Sequence, residues 1–306
     1  MGVKSGVSSY LLQGTAASAT LRIFACDTTA LVAEARARHG TSWTATAALG
    51  RSLTAAILLA QVLTKRDQER ITLRIQGDGP LGWIVCEGSK DGKARGYVRH
   101  PQAELPSRTS DGKLDVSGLV GTNGELAVTR LLENSEPYSG SVELVSGEIG
   151  EDVAMYLASS EQINSVVMLG VHVDAQGVTH AGGILLQTMP GVTEETLHQL
   201  EVNLRQLPQL TTMMRTNGLL GAIERLLAGL EFEAYSKTLP LEFKCYCSRE
   251  KALDSLRFFG ADERAEMIND GGQETVCHWC STKYQITPDE IRALETSEPQ
   301  SREIDA

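Results

Sequence analysis

Four of the six cysteines stand in two tight pairs near the end of the chain, KCYC at Lys244–Cys247 and VCHWC at Val276–Cys280, with twenty-nine residues between them. Such a pattern constrains a fold more than any hydrophobic period does. Zinc takes four thiolates in a tetrahedron at about 2.3 Å, and structural sites are commonly built from two sequential pairs. Cys277-x-x-Cys280 has the usual knuckle spacing. Cys245-x-Cys247 is tighter than usual, so the segment is not an ordinary zinc ribbon. His278 sits between ligands whose thiolates compete better for a metal, which leaves it exposed or beside the site. A stretch of about 55 residues with few large apolar side chains does not easily fold unaided. Metal ligation supplies on the order of 10–16 kcal/mol of apparent folding free energy. Four thiolates around one divalent ion also leave a formal charge of −2 and remain open to peroxide or hypochlorite. Each cysteine has a near neighbour for disulfide formation. The residues alone allow a structural staple or a switch.

The 306 residues suggest two or three domains, and 42 % apolar with 22 % charged content is ordinary for a globular chain with a real core. The net charge of −11 disfavours phosphate backbones and anionic membranes. Ser52–Leu63 is the longest uncharged apolar run, too short to cross a bilayer that needs about twenty residues, and reads as a buried core helix. The opening MGVKSGVSSYLL has too short an apolar core for a signal peptide, and Gly6 stands where an acylation pattern needs Ser or Thr. The expected compartment is the cytoplasm, where thiols stay reduced and clustered cysteines point to metal or redox chemistry.

Along the chain, residues 1–190 mix strand and helix signals. Thr20–Asp27, Arg70–Gln76, GWIVCEG from Gly82, Asn164–Asp174 and Thr179–Met189 read as strands; Ala30–Arg38, Trp43–Leu63 and Ile149–Ser160 read as helices. The expected class is α+β with a mostly antiparallel core domain. Residues 191–239 form an expected amphipathic helical linker. Thr193 starts a helix with Leu197, Leu200, Leu204 and Leu207 on one face up to Pro208. A second helical stretch carries Leu219, Ile223, Leu226 and Leu230, with Met213 and Met214 between the two. Pro208, Gly218, Gly221 and Gly229 are weak points. Residues 240–296 form the expected zinc-binding domain and 297–306 a polar tail.

Other motifs carry less. GDGPLG at Gly77–Gly82 fits a dinucleotide fingerprint, but WIVCE follows it where a helix is required, so a β-hairpin is expected. His39, His100, His172, His180 and His198 show no metal spacing. Cys26 and Cys86 lie in strand-like runs, where packing is the default for a free thiol.

With the cysteine pairs and leucine-rich linker in view, the chain resembles the redox-regulated heat-shock chaperones of roughly thirty-three kilodaltons, which carry CxC and CxxC near the C-terminus at about this separation. Ile71–Glu87, Ser135–Ile163 and Ala181–Gly191 resemble stretches of that family's core domain. The resemblance covers nearly the whole chain, with no departure at the four cysteines. It implies one Zn²⁺ per chain held by Cys245, Cys247, Cys277 and Cys280 in a reduced, inactive form. It also implies that oxidants drive Cys245–Cys247 and Cys277–Cys280 disulfides, expel zinc, unfold the zinc domain and disorder the linker. Apolar surface then holds unfolded client proteins without ATP, and the active form is a homodimer. No catalytic residue is implied. A marginal amphipathic linker with a methionine pair suits such release. Two rival readings remain. A zinc-containing nucleic-acid binder is disfavoured because residues 241–296 hold seven basic against eleven acidic side chains. A disulfide oxidoreductase would place CxxC at the start of a helix after a strand.

Overall fold

A computed structural model describes residues 8–133 and 136–296; residues 1–7 of the N-terminal stretch and the tail 297–306 lie outside them. The chain splits into two compact units, residues 1–243 and 244–306.

In the first unit the chain runs β1 (Tyr10–Ala16), β2 (Leu21–Asp27), α1 (Thr29–His39), α2 (Trp43–Leu63), β3 (Arg70–Gln76), β4 (Trp83–Ser89) and β5 (Lys93–Val98). It continues through α3 (Val116–Val120), β6 (Glu125–Leu131), β7 (Tyr138–Glu143), α4 (Gly150–Ser160), β8 (Ser165–Asp174) and β9 (Gly177–Thr188). It ends with α5 (Glu194–Gln206), α6 (Leu210–Leu226), β10 (Phe232–Ala234), β11 (Leu239–Pro240) and β12 (Glu242–Phe243). One sheet has the order β10-β1-β2-β9-β8, with β11 also on β1; the other has the order β12-β5-β4-β3-β6-β7. Every pairing is antiparallel except the short parallel contact of β12 with β5. The protein is therefore α+β with mostly antiparallel sheet.

Helix α2 packs between the two sheets, against β8, β9 and β2 on one side and β3, β4 and β5 on the other. That position explains why it is apolar all round. Ser42 caps it by accepting a hydrogen bond from the Ala45 N–H. It is the one helix among the described residues long and apolar enough to cross a membrane, and 83 % of its apolar window is buried inside the protein. Alternation along β2 turns Phe24 and Cys26 away from Leu21, Ile23 and Ala25, which face the opposite layer. Gly182 and Gly183 make room on both sides of β9. A Cβ at Gly182 would meet Met214 Sδ at 2.9 Å, and one at Gly183 would meet Thr54 Cγ2 at 2.7 Å.

Helices α5 and α6 form the layer opposite α2. Leu200, Leu210, Met213, Met214, Leu219 and Ile223 bury against Leu12, Leu21, Ile23, Ile184 and Leu186 of the sheet. Asn203 ties the helices together, donating through Nδ2 to the carbonyls of Leu226 (2.9 Å) and Ala228 (2.8 Å). Pro208, Gly218 and Gly229 fall where the helices break, whereas Gly221 continues α6 without interruption. The chain leaves α5 just before Pro208, and Gly218 sits in α6 at φ 70°, ψ −178°. Met213 and Met214 are not between helices but in the first turns of α6, because the helix restarts at Leu210 directly after the proline. Leu230 lies beyond the end of α6, where Gly229 takes φ 78°.

Residues 232–243, assigned from sequence to the linker and the start of the zinc domain, contribute three short strands to the first unit's sheets. Strands of two or three residues carry no readable alternation; partner strands β1 and β5 define them. The GDGPLG segment is the β3–β4 hairpin, held to the end of α3 by the Gly79 N–H donating to the Val120 carbonyl at 3.0 Å.

The second unit comprises α7 (Arg249–Asp254), a 3₁₀ turn (Ser255–Phe258), α8 (Ala261–Asn269), the hairpin β13 (Gln273–Val276) and β14 (Lys283–Ile286), and α9 (Pro288–Thr296). Its core is small: Leu256, Ile286, Ile291 and Leu294, with Leu253, Met267 and Tyr284 packed beside them. Much of its order is polar. Ser248 caps α7, and Thr287 with Glu290 brackets the start of α9. Arg249 grips Glu290 through Nε and Nη2, both at 2.8 Å.

Candidate metal centre

The two cysteine pairs come from different local structures. Cys277 leaves β13 and Cys280 precedes β14, so the second pair sits in the hairpin turn. The Cys277 N–H donates to the Thr282 carbonyl at 2.9 Å, and the Ser281 N–H donates back to the Cys277 carbonyl at 2.8 Å. Ser281 takes φ 57°, the left-handed conformation that closes the turn. The first pair lies in the irregular segment that leads into α7.

All four sulfurs lie within 4.8 Å of one another. Cys245 Sγ is 3.7 Å from Cys277 Sγ, and Cys247 Sγ is 3.4 Å from Cys280 Sγ. Metal–sulfur bonds of about 2.3 Å in a regular tetrahedron set sulfurs roughly 3.8 Å apart. The donor set, spacing and mutual distances thus fit a four-thiolate ion site. Cys280 is buried, and the other three are half-buried. His278 is exposed and outside the group of four.

Two hydroxyl groups that the cysteine spacing does not reveal also reach the sulfurs. Tyr284 Oη donates to Cys247 Sγ at 3.1 Å, and the Thr282 hydroxyl lies 3.2 Å from Cys280 Sγ. Burial pushes up the thiols of Cys245 and Cys277. Burial opposes ionisation at Cys280 too, but the Thr282 hydroxyl and N–H, together with the neighbouring sulfurs, bring that thiol down to about 7. The hydrogen bond to Cys247, with some burial, raises the Tyr284 phenol to about 12. A divalent ion removes the thiol protons on binding, so metal affinity rises with pH.

The other cysteines have a different environment. Cys26 and Cys86 are fully buried in strands, and burial drives both thiols far above their usual range. They pack as small apolar groups, as expected from the sequence. His172 Nδ1 pairs with the Thr179 hydroxyl at 2.8 Å rather than with a metal cluster. The Cys277-x-x-Cys280 turn opens no helix, unlike the arrangement of a dithiol oxidoreductase.

A layered α+β body joined to a small unit that gathers four thiols defines a two-part protein whose smaller part could hold a metal ion. Comparison with known proteins gives the family. The family described as Hsp33 protein matches residues 9–287. The 33 kDa chaperonin of Deinococcus radiodurans is 58 % identical over 288 residues, covering 94 % of this chain and 98 % of that protein. A 33 kDa chaperonin of Thermus thermophilus is 53 % identical, covering 93 % and 86 %. The crystal structure of the 33 kDa chaperonin (heat shock protein 33 homolog) from Thermotoga maritima superposes with a TM-score of 0.86 at 35 % identity, covering 95 % of this chain and 98 % of that one. The chain belongs to the Hsp33 family of chaperones.

Proposed function

We propose that this chaperone is a redox-regulated, ATP-independent holdase of the cytoplasm, switched by Cys245, Cys247, Cys277 and Cys280 acting as ligands to one Zn²⁺ per chain. The observation that carries this reading is the convergence of the four sulfurs within 4.8 Å. When bound, zinc supplies a fixed positive centre that keeps four thiolates together and lends the small unit its folding free energy. The functional division is a client-binding core over 1–190, a linker over 191–239 and a switch over 240–296, with the structural boundary of the small unit at residue 244.

In the reduced state the thiolates hold the metal, and α5 and α6 cover the apolar face of β1, β2, β9 and β8. Under oxidative stress the thiolates of Cys245 and Cys247 pass two electrons to a peroxide. One S–S bond forms, the O–O bond breaks and two hydroxide ions leave. Cys277 and Cys280 react in the same way. Disulfide sulfurs no longer ligate, so the small unit loses the metal and its order. The linker, continuous in sequence with that unit through residues 232–243, then loosens. The bared apolar surface takes up unfolding client proteins and pairs two chains into the active homodimer. The broken helices α5 and α6 suit this role, since Pro208 and Gly218 keep their intrinsic stability low.

Light scattering from a thermally unfolding client tests the reading. Suppression by the peroxide-treated chain and not by the reduced, zinc-loaded chain is expected. Equal suppression by both would leave a chaperone whose metal site is only structural. Peptide mapping that paired Cys245 mainly with Cys277 or Cys280 would overturn the disulfide assignment.

A further inference from the structure

The Thr282 hydroxyl lies 3.2 Å from Cys280 Sγ and belongs to the same short turn as that sulfur. Tyr284 differs. Its hydroxyl donates to Cys247 Sγ across thirty-seven positions of sequence. Its backbone belongs to β14, in the hairpin that carries the second pair. Its ring packs against the small core of Leu256, Ile286, Ile291 and Leu294. One side chain thus touches the first cysteine pair while standing in the core that the metal stabilises.

We propose that Tyr284 is the positioning residue that couples the Cys245-x-Cys247 pair to the folded core of the small unit, its hydroxyl setting how tightly the chain holds metal and how fast that pair oxidises. This rests on the four-thiolate reading above. A hydroxyl that donates to a thiolate draws off part of its charge, which lowers its nucleophilicity toward peroxide. It also fixes the sulfur in its ligating position, as outer hydrogen bonds do at other metal centres. When Cys245 and Cys247 pass two electrons to a peroxide, the new S–S bond leaves Cys247 uncharged, and two hydroxide ions carry away the negative charge. Tyr284 then loses a charged acceptor for a neutral one, and the strong form of its hydrogen bond goes with it. The state of the first pair is thereby felt in the hairpin and the core.

Tyr284→Phe in the full chain removes the hydroxyl and keeps the ring in the core. Two readouts apply to the reduced protein. With zinc bound, peroxide in the presence of a chromophoric chelator should release metal about tenfold faster from the variant, the factor expected for one hydrogen bond to a charged group. With cobalt(II) in place of zinc, the thiolate-to-metal absorption should move to lower energy, because the Cys247 sulfur is no longer stabilised by a donor. A change in packing alone would not move that band. Unchanged release and an unchanged cobalt band would overturn the inference while Cys247→Ser still lost the four-thiolate spectrum, leaving the ligand assignment intact. Absence of a four-thiolate cobalt spectrum in the unsubstituted chain would overturn both.

Discussion

The two units keep their shape by different means. The larger buries α2 between two sheets and covers one sheet again with α5 and α6, so dozens of apolar side chains leave water. The smaller has a core of four buried apolar residues, supplemented by helix caps, the Arg249–Glu290 pair and the four thiols. At roughly 25 cal/mol per Å² of apolar surface, a core of that size does not offset the entropy of ordering some fifty residues. On the proposed reading the small unit depends on its thiol chemistry, whereas the two sheets and α2 of its neighbour do not. Oxidation would then undo the small unit, loosen α5 and α6, and spare the sheets.

The sharpest way to break this contrast is to take the metal away. Chelation of the reduced protein should withdraw about 10 kcal/mol or more of apparent folding free energy from the small unit. Limited proteolysis should then cut within 244–296 and leave 10–188 resistant; cleavage spread over both units would end the distinction. Leu53→Ala attacks the other side. Leu53 is fully buried in α2, so its truncation should cost the larger unit about 2–5 kcal/mol in denaturant unfolding, with no change in metal stoichiometry.

Asn203→Ala probes the layer proposed to loosen on oxidation. Its loss takes the side-chain donor from the Leu226 carbonyl and one of two from that of Ala228, which Gln199 Nε2 also reaches at 3.4 Å, at a cost of about 1–3 kcal/mol. The expected result is faster amide exchange in α5 and α6 and higher client holding by the reduced chain. The smallest effect belongs to Glu290→Gln. Hydrogen bonds from Arg249, then from Thr287, hold the Glu290 carboxyl down to about 2. A depressed pKa means a contribution present in full above the unfolded carboxylate range, near pH 4.3, and lost as pH falls toward 2. Thermal scans should show a modest deficit in the variant that is constant from pH 7 to 5 and closes in acid.

The same contrast governs what can be read from the sequence. Long apolar or alternating runs, such as α2, β3 and the β8–β9 hairpin, announce themselves because period and burial agree along many residues. The cysteine pairs are legible because ligand spacing is chemistry written locally. Residues 232–243 are not, since strands of two or three residues take their conformation from distant partners. Tyr284 and Thr282 escape notice for a related reason: a hydroxyl beside a sulfur depends on hairpin register, and neither residue type signals that role alone. Met213 and Met214 fall between helices in the sequence reading because a helix that restarts directly after Pro208 looks like a loop when judged by leucine spacing.

Hydrogen exchange followed by peptide mass, on the reduced zinc-loaded chain and on the peroxide-treated chain, shows which unit the thiols hold in order. Residues 244–296 should lose protection entirely on oxidation, 194–226 should lose it in part, and β1 to β9 should keep theirs. Protection that falls evenly across both units, or that stays unchanged in 244–296 once the thiols are oxidised, would contradict that pattern.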